Sequence, residues 1–190
     1  MQNTKSKNLR FITELALFTA LSLVLNFWSI SLWGQGGSIS FQMVPTMIMA
    51  FRYGYKGGLT TGFLFGMVQL LLGAYVLTPV QAFFDYPLAF TVVGFTAVTA
   101  KAAKKAMDRQ KKGRATILLT LGILVGSFLR FIAHTLSAVI FFGQYAPKGQ
   151  GVWLYATLYN GSYMLPSFIA SAIVVVMMAS VYPKLIQSNN

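Results

Sequence analysis

Apolar residues in this chain come in long stretches, not in the short periodic pattern of a soluble amphipathic helix or strand. Six stretches stand out, at about 11–28, 41–51, 58–73, 80–100, 115–142 and 160–182. Crossing the hydrocarbon core takes roughly 20 residues of helix. The pattern therefore predicts an all-α membrane protein, a compact six-transmembrane-helix bundle forming one integral membrane domain over residues 1–190. The second stretch is short for a full span and predicts a tilted or partly re-entrant segment. The fifth is long, which predicts tilt or a kink. Polar ends at about 1–10 and 183–190 read as cytoplasmic tails. The first stretch follows a basic N-terminus in the charge order of a signal peptide. No small-residue cleavage pattern follows it, and more spans do, so it reads as a retained helix.

Composition supports this reading, with 56% hydrophobic and 9% charged residues. Soluble domains carry about 25% charged residues. A net charge of +12 raises the question of nucleic acid, but its distribution answers it. Lys5, Lys7, Arg10, Arg52, Lys56, Lys101, Lys104, Lys105, Arg109, Lys111, Lys112, Arg114 and Lys184 all fall on one side of the six-span arrangement. The other side holds Lys148, and Arg130 lies within a span. That asymmetry puts both termini in the cytoplasm, and the run at 101–114 reads as a topology determinant that contacts lipid headgroups. No nucleic-acid partner is expected.

Against this background Asp85 carries the most information, because the only other acids are Glu14, near the cytoplasmic end of the first span, and Asp108, in the basic run. A carboxylate at membrane depth must be compensated, so it marks a functional site by default. A bound cation, a proton relay or an intramembrane base would each compensate it. Arg130 and His134 are spaced i, i+4 and share a helix face, and the cost of charge facing lipid turns that face inward, toward Asp85. Two readings stay open: an Asp85–Arg130 pair that fixes helix packing, or a pocket in which Asp85 faces a ligand cation and His134 hydrogen-bonds the ligand. Asn160 adds an amide with two donors and an acceptor. Tyr155, Tyr159 and Tyr163 lie near it in sequence, and Phe65, Tyr75, Tyr86 and Phe142 offer further rings. Aromatic faces around a desolvated cation contribute about 0.5 to 2 kcal/mol, so the set suits a flat, positively charged ligand.

Gly-rich outer loops at 29–40 and 143–152 carry Trp33 and Tyr145 and suit a mobile cover over such a pocket. Ala16 and Ala20 form a small-xxx-small pair that permits close helix approach. There is no Cys, which excludes disulfides and thiolate metal sites. No P-loop or H-E-x-x-H motif occurs, and no cofactor or metal is expected. Ser127 and His134 lie two helical turns apart, about 10 Å, too far for a nucleophile–base pair.

The stretches at 36–45 (GGSISFQMVP), 51–62 (FRYGYKGGLTTG), 79–90 (PVQAFFDYPLAF), 126–149 (GSFLRFIAHTLSAVIFFGQYAPKG) and 153–168 (WLYATLYNGSYMLPSF) resemble the ThiT/YuaJ family. Its members are thiamine-specific substrate-binding (S) components of energy-coupling factor transporters. The resemblance implies a multi-pass protein of the bacterial plasma membrane that binds thiamine near its outer face and is not itself an enzyme. It also implies docking onto a transmembrane (T) subunit driven by two ATPases. Asp85 would face the thiazolium cation with Tyr86 beside it, and His134 and Asn160 would meet the aminopyrimidine. Tyr155 would line the pocket, Arg130 would fill a basic position, and Ala16 and Ala20 would form the docking surface. The chain departs from some members, which carry Glu in place of Asp85 and Trp in place of Phe65 and Phe142. Charge and stacking survive these changes. The rival functions are an S component for another vitamin or pyrimidine precursor and a proton-coupled secondary transporter using Asp85 and His134. Six spans without a repeat are few for alternating access.

Overall fold

The computed structural model describes residues 2–31 and 37–187; Trp33, expected over the pocket, lies outside the described residues. Five continuous helical runs dominate these residues: α1 (Gln2–Phe27), α2 (Val44–Leu71), α3 (Pro79–Asp108), α4 (Lys112–Phe141) and α5 (Val152–Val181). A two-residue antiparallel ribbon, β1 (Ile30–Ser31) with β2 (Ser38–Ile39), lies between α1 and α2. The chain is thus a nearly all-helical membrane protein, and α1, α3, α4 and α5 are each long and apolar enough to cross a bilayer. Their outer faces carry exposed Leu17, Val24, Phe128, Leu165 and Ile173, the surface that hydrocarbon tolerates without penalty.

The second helix is two arms. Gly54 has φ 68° and ψ −155° inside α2, a left-handed backbone that glycine adopts without a Cβ clash. A straight helix would put residues 42 and 69 about 40 Å apart, yet Gln69 Nε2 donates to Gln42 Oε1 at 3.2 Å. The chain therefore doubles back at Gly54, and the inner loop expected between 51 and 58 shrinks to a single residue. The first arm forms the core, with Met47, Ile48, Met49 and Phe51 inaccessible against Val93, Ile123 and Val175. The second arm reaches α3 through Gly66, where an added Cβ would stand 2.6 Å from the Tyr86 carbonyl oxygen.

Other boundaries also shift. α1 begins at Gln2, so the expected polar tail is helical. α3 continues to Asp108, so most of the expected basic loop is helix. α5 begins at Val152, which sets Asn160 more than two turns inside the helix instead of at its start. Beyond α5, Ile186 is buried and the segment 184–187 is held in place. Arg52 Nη1 donates to the carbonyls of Lys184 at 2.7 Å and Leu185 at 3.1 Å. The same guanidinium pairs with Glu14 through Nε and, at 2.8 Å, through Nη2. This cluster ties α1, α2 and residues 184–187 together at one end of the bundle.

Candidate functional site

At the other end α3 is irregular where it matters. Thr78 caps its start, the side chain accepting from the Gln81 N–H at 3.1 Å. Pro87 cannot donate a backbone hydrogen bond, and the helix widens to a π turn over Phe84–Leu88. Such bulges re-aim side chains and recur at functional sites. Here the turn presents Asp85 and Tyr86 to a polar interior.

Asp85 is held from both sides. Gln81, one turn earlier, donates Nε2 to Oδ2 at 2.6 Å, and His134 Nδ1 lies 3.1 Å from Oδ1. Arg130 Nε donates to His134 Nε2 at 3.2 Å. An Nε2 that accepts from Arg130 leaves the ring proton on Nδ1, so a neutral imidazole donates to Asp85. The direct Asp85–Arg130 pair, one of the two readings open from the sequence, is absent among the described residues; the imidazole stands between them. Arg130 instead lies over the Phe90 ring, 4.2 Å from its centroid. Asp85 is therefore oriented by an amide and an imidazole, with no cation in contact.

Two adjoining cavities meet at Asp85 and His134. One, about 70 Å³, is lined by Ala138, Phe142, Tyr155, Tyr159, Asn160 and Tyr163 as well as Gly37. The other, about 180 Å³, is richer in amides and is lined by Asn26, Ser38, Gln42, Gln69, Tyr75, Gln81, Tyr86, Phe90 and Arg130 among others. Asn160 Nδ2 donates to the Ala156 carbonyl at 2.9 Å, and Asn160 Oδ1 accepts from the Tyr163 hydroxyl. One lone pair of that oxygen remains for a ligand donor. Over the mouth of the cavity, the Tyr86 hydroxyl accepts from the Tyr75 N–H at 2.9 Å, and Phe142 stands between Tyr75 and Tyr145 at centroid distances of 6.3 and 6.2 Å. A hydrogen bond with the Tyr145 side chain pushes the Tyr75 phenol above its ordinary pKa.

Asp85, Tyr86, His134, Asn160, Tyr155, Arg130, Tyr75 and Phe142 thus all line the joined cavity. Phe65 does not. It is fully buried behind Phe90, edge-on at 4.5 Å, so Phe90 takes the wall position assigned to it. Ala16 and Ala20 lie on the exposed face of α1, away from the cavity. Sequence reasoning missed Gln42, Gln69 and Gln81. Gln81 was within reach, being an amide at i−4 from the one acid in its span. Gln42 and Gln69 meet only because α2 doubles back.

A family model described as "Thiamine transporter protein (Thia_YuaJ)" matches residues 12–187. "Thiamine transporter ThiT" of Bacillus subtilis (strain 168) is 40% identical over 189 residues, covering 97% of this chain and 98% of that one. Its namesake from Lacticaseibacillus paracasei is 32% identical over 183 residues, covering 94% and 91%. A solved structure of ThiT from Listeria monocytogenes superposes with a TM-score of 0.90 at 30% identity, covering 96% of this chain and all of that one. A second, described as the S component of a bacterial ECF transporter, shares the fold with a TM-score of 0.61 at 16% identity, covering 99% of this chain.

Proposed function

From the premise that the chain belongs to the Thia_YuaJ family of thiamine transporter proteins, we propose that it is the high-affinity thiamine-binding S component of an energy-coupling factor uptake system in the bacterial plasma membrane. The observation that carries this reading is Asp85: a carboxylate at a cavity floor, held by Gln81 and His134 without a contacting cation. Thiamine supplies what is missing, a fixed positive charge on a flat ring. The thiazolium lies against Asp85 and Tyr86. The aminopyrimidine lies between Phe142 and Tyr155, with its amino group toward Asn160 Oδ1 and its ring nitrogens toward His134. Doubling of α2 supports six membrane-spanning helices with both termini in the cytoplasm, since the basic residues then share one side.

The family is that of a transporter and not of an enzyme. With no nucleotide site in its sequence, the chain binds thiamine and leaves its movement to a T subunit with two ATPases. These dock at least partly on the exposed Ala16–Ala20 face of α1, where small residues admit close helix approach. Binding of labelled thiamine to the purified protein, beside an uncharged isosteric analogue, tests the pocket. Equal affinity for both would remove Asp85 from the recognition. Replacing Ala16 and Ala20 together by Trp should leave affinity near normal and abolish both co-purification with the partner and ATP-driven uptake. Proton-driven uptake by liposomes holding this chain alone would favour the secondary transporter.

A further inference from the structure

At the cytoplasmic junction of α3 and α4, one sign of charge is concentrated into a concavity. α3 ends at Asp108 and α4 starts at Lys112, and Gln110 takes the left-handed φ of 55° that makes so short a reversal possible. The turn is pinned by Lys111 N–H donating to the Ala106 carbonyl at 2.9 Å and Gln110 N–H donating to that of Met107 at 2.8 Å. The end of α3 is thereby pressed against the start of α4. Between them lies a cavity of about 130 Å³ lined by Ala102, Lys105, Ala106, Arg109, Lys111 and Arg114. Four cations share its walls, and two alanines keep its floor open. None of the ion pairs among the described residues involves these four. The neighbouring acid, Asp108, accepts from Gln187 Nε2 at 2.6 Å instead.

Like charges gathered this closely repel, and an oxyanion with several acceptors relieves them, with guanidinium groups suited to bidentate contact. We propose that this cavity binds the phosphate of an anionic phospholipid headgroup. The oxyanion chemistry alone would also admit inorganic phosphate, but the surroundings favour a lipid. α3 and α4 are both long and apolar enough to cross the membrane, so their shared cytoplasmic end stands at headgroup depth. Ile117 and Leu121 follow Arg114 at i+3 and i+7, on the same face, and both are exposed. A phosphate in the cavity would thus have an apolar stripe running from it toward the bilayer centre, which suits an acyl chain and offers nothing to a free ion.

Native mass spectrometry of the delipidated full-length protein, titrated with phosphatidylglycerol, phosphatidylcholine or inorganic phosphate, tests the assignment. The protein should prefer phosphatidylglycerol to phosphatidylcholine. The double variant R109Q/R114Q should weaken phosphatidylglycerol binding by about tenfold to thirtyfold, because each basic residue beside an anionic headgroup contributes on the order of a factor of five. K7Q/K56Q removes the same charge from the same side outside the cavity and should change binding by about twofold at most. A102F changes no charge but fills the cavity, and it should weaken binding too. Thermal unfolding midpoints separate lost binding from lost folding, and the charge-preserving R109K/R114K stands in if the glutamine variant is unstable. Equal losses in K7Q/K56Q, or wild-type binding by A102F, would overturn the site in favour of diffuse surface charge. Displacement of phosphatidylglycerol by an equal concentration of inorganic phosphate would overturn the lipid as its occupant.

Discussion

Asp85 and Glu14 are side chains of nearly equal exposure, 15% and 17%, at opposite ends of the molecule, and their surroundings differ in kind. Glu14 is met by Arg10 at 2.9 Å, by Arg52 through two nitrogens and by the Tyr53 hydroxyl at 3.0 Å. Its charge is balanced within the protein, and Arg52 goes on to cap the carbonyls of the chain's end. Asp85 receives only an amide and an imidazole, and the nearby cation, Arg130, bonds the far side of that imidazole. Burial alone therefore does not tell the two carboxylates apart. What separates them is whether the protein supplies the counter-charge.

The comparison is broken most directly at Asp85. Asp85→Asn should weaken thiamine binding by about 2 to 5 kcal/mol, the usual cost of truncating one partner of a desolvated charge pair. An uncharged analogue should lose far less in a side-by-side equilibrium titration, and the unfolding midpoint should hardly move. Arg52→Met should do the reverse. It leaves Glu14 with only the exposed Arg10 and the Tyr53 hydroxyl and frees the carbonyls of Lys184 and Leu185, so stability should fall by about 3 kcal/mol, near the low end for a broken buried pair. Thermal unfolding in detergent measures that loss, while thiamine affinity should stay close to wild type. A large loss of affinity in Arg52→Met would mean that the two ends are coupled and that the contrast drawn between them fails.

Smaller effects sharpen the Asp85 end. His134→Ala and Asn160→Ala each remove one polar group from the cavity wall, and each should cost about 1 to 3 kcal/mol of binding. Calorimetry reads that cost, and retention of the folded protein on size exclusion guards it. The smallest signal should be optical. Phe142 and Phe90 are silent at tryptophan wavelengths, and Trp153 is 61% exposed and lines neither cavity. With Trp33 replaced by Phe, thiamine should therefore change intrinsic fluorescence only modestly, mainly through tyrosine, and Tyr155→Phe should reduce the change further.

The long apolar helices were legible in the sequence because hydrocarbon demands long apolar runs. Asp85, Arg130 and His134 could be picked out for the same reason: ionisable groups at membrane depth are rarely placed without a role. The tertiary structure decided the rest. A helix that is apolar all round does not announce which face turns inward, so Phe65 and Phe90 could not be told apart until α2 was seen packed against the π turn. Nor does local pattern say that a chain folds back at Gly54, because that reversal is rewarded only by distant contacts such as Gln42 with Gln69. The order Arg130–His134–Asp85, which leaves the carboxylate without a cation, depends in the same way on how α3 meets α4. Sequence alone determined which residues cannot face lipid. Only packing between helices determined what each of them faces instead.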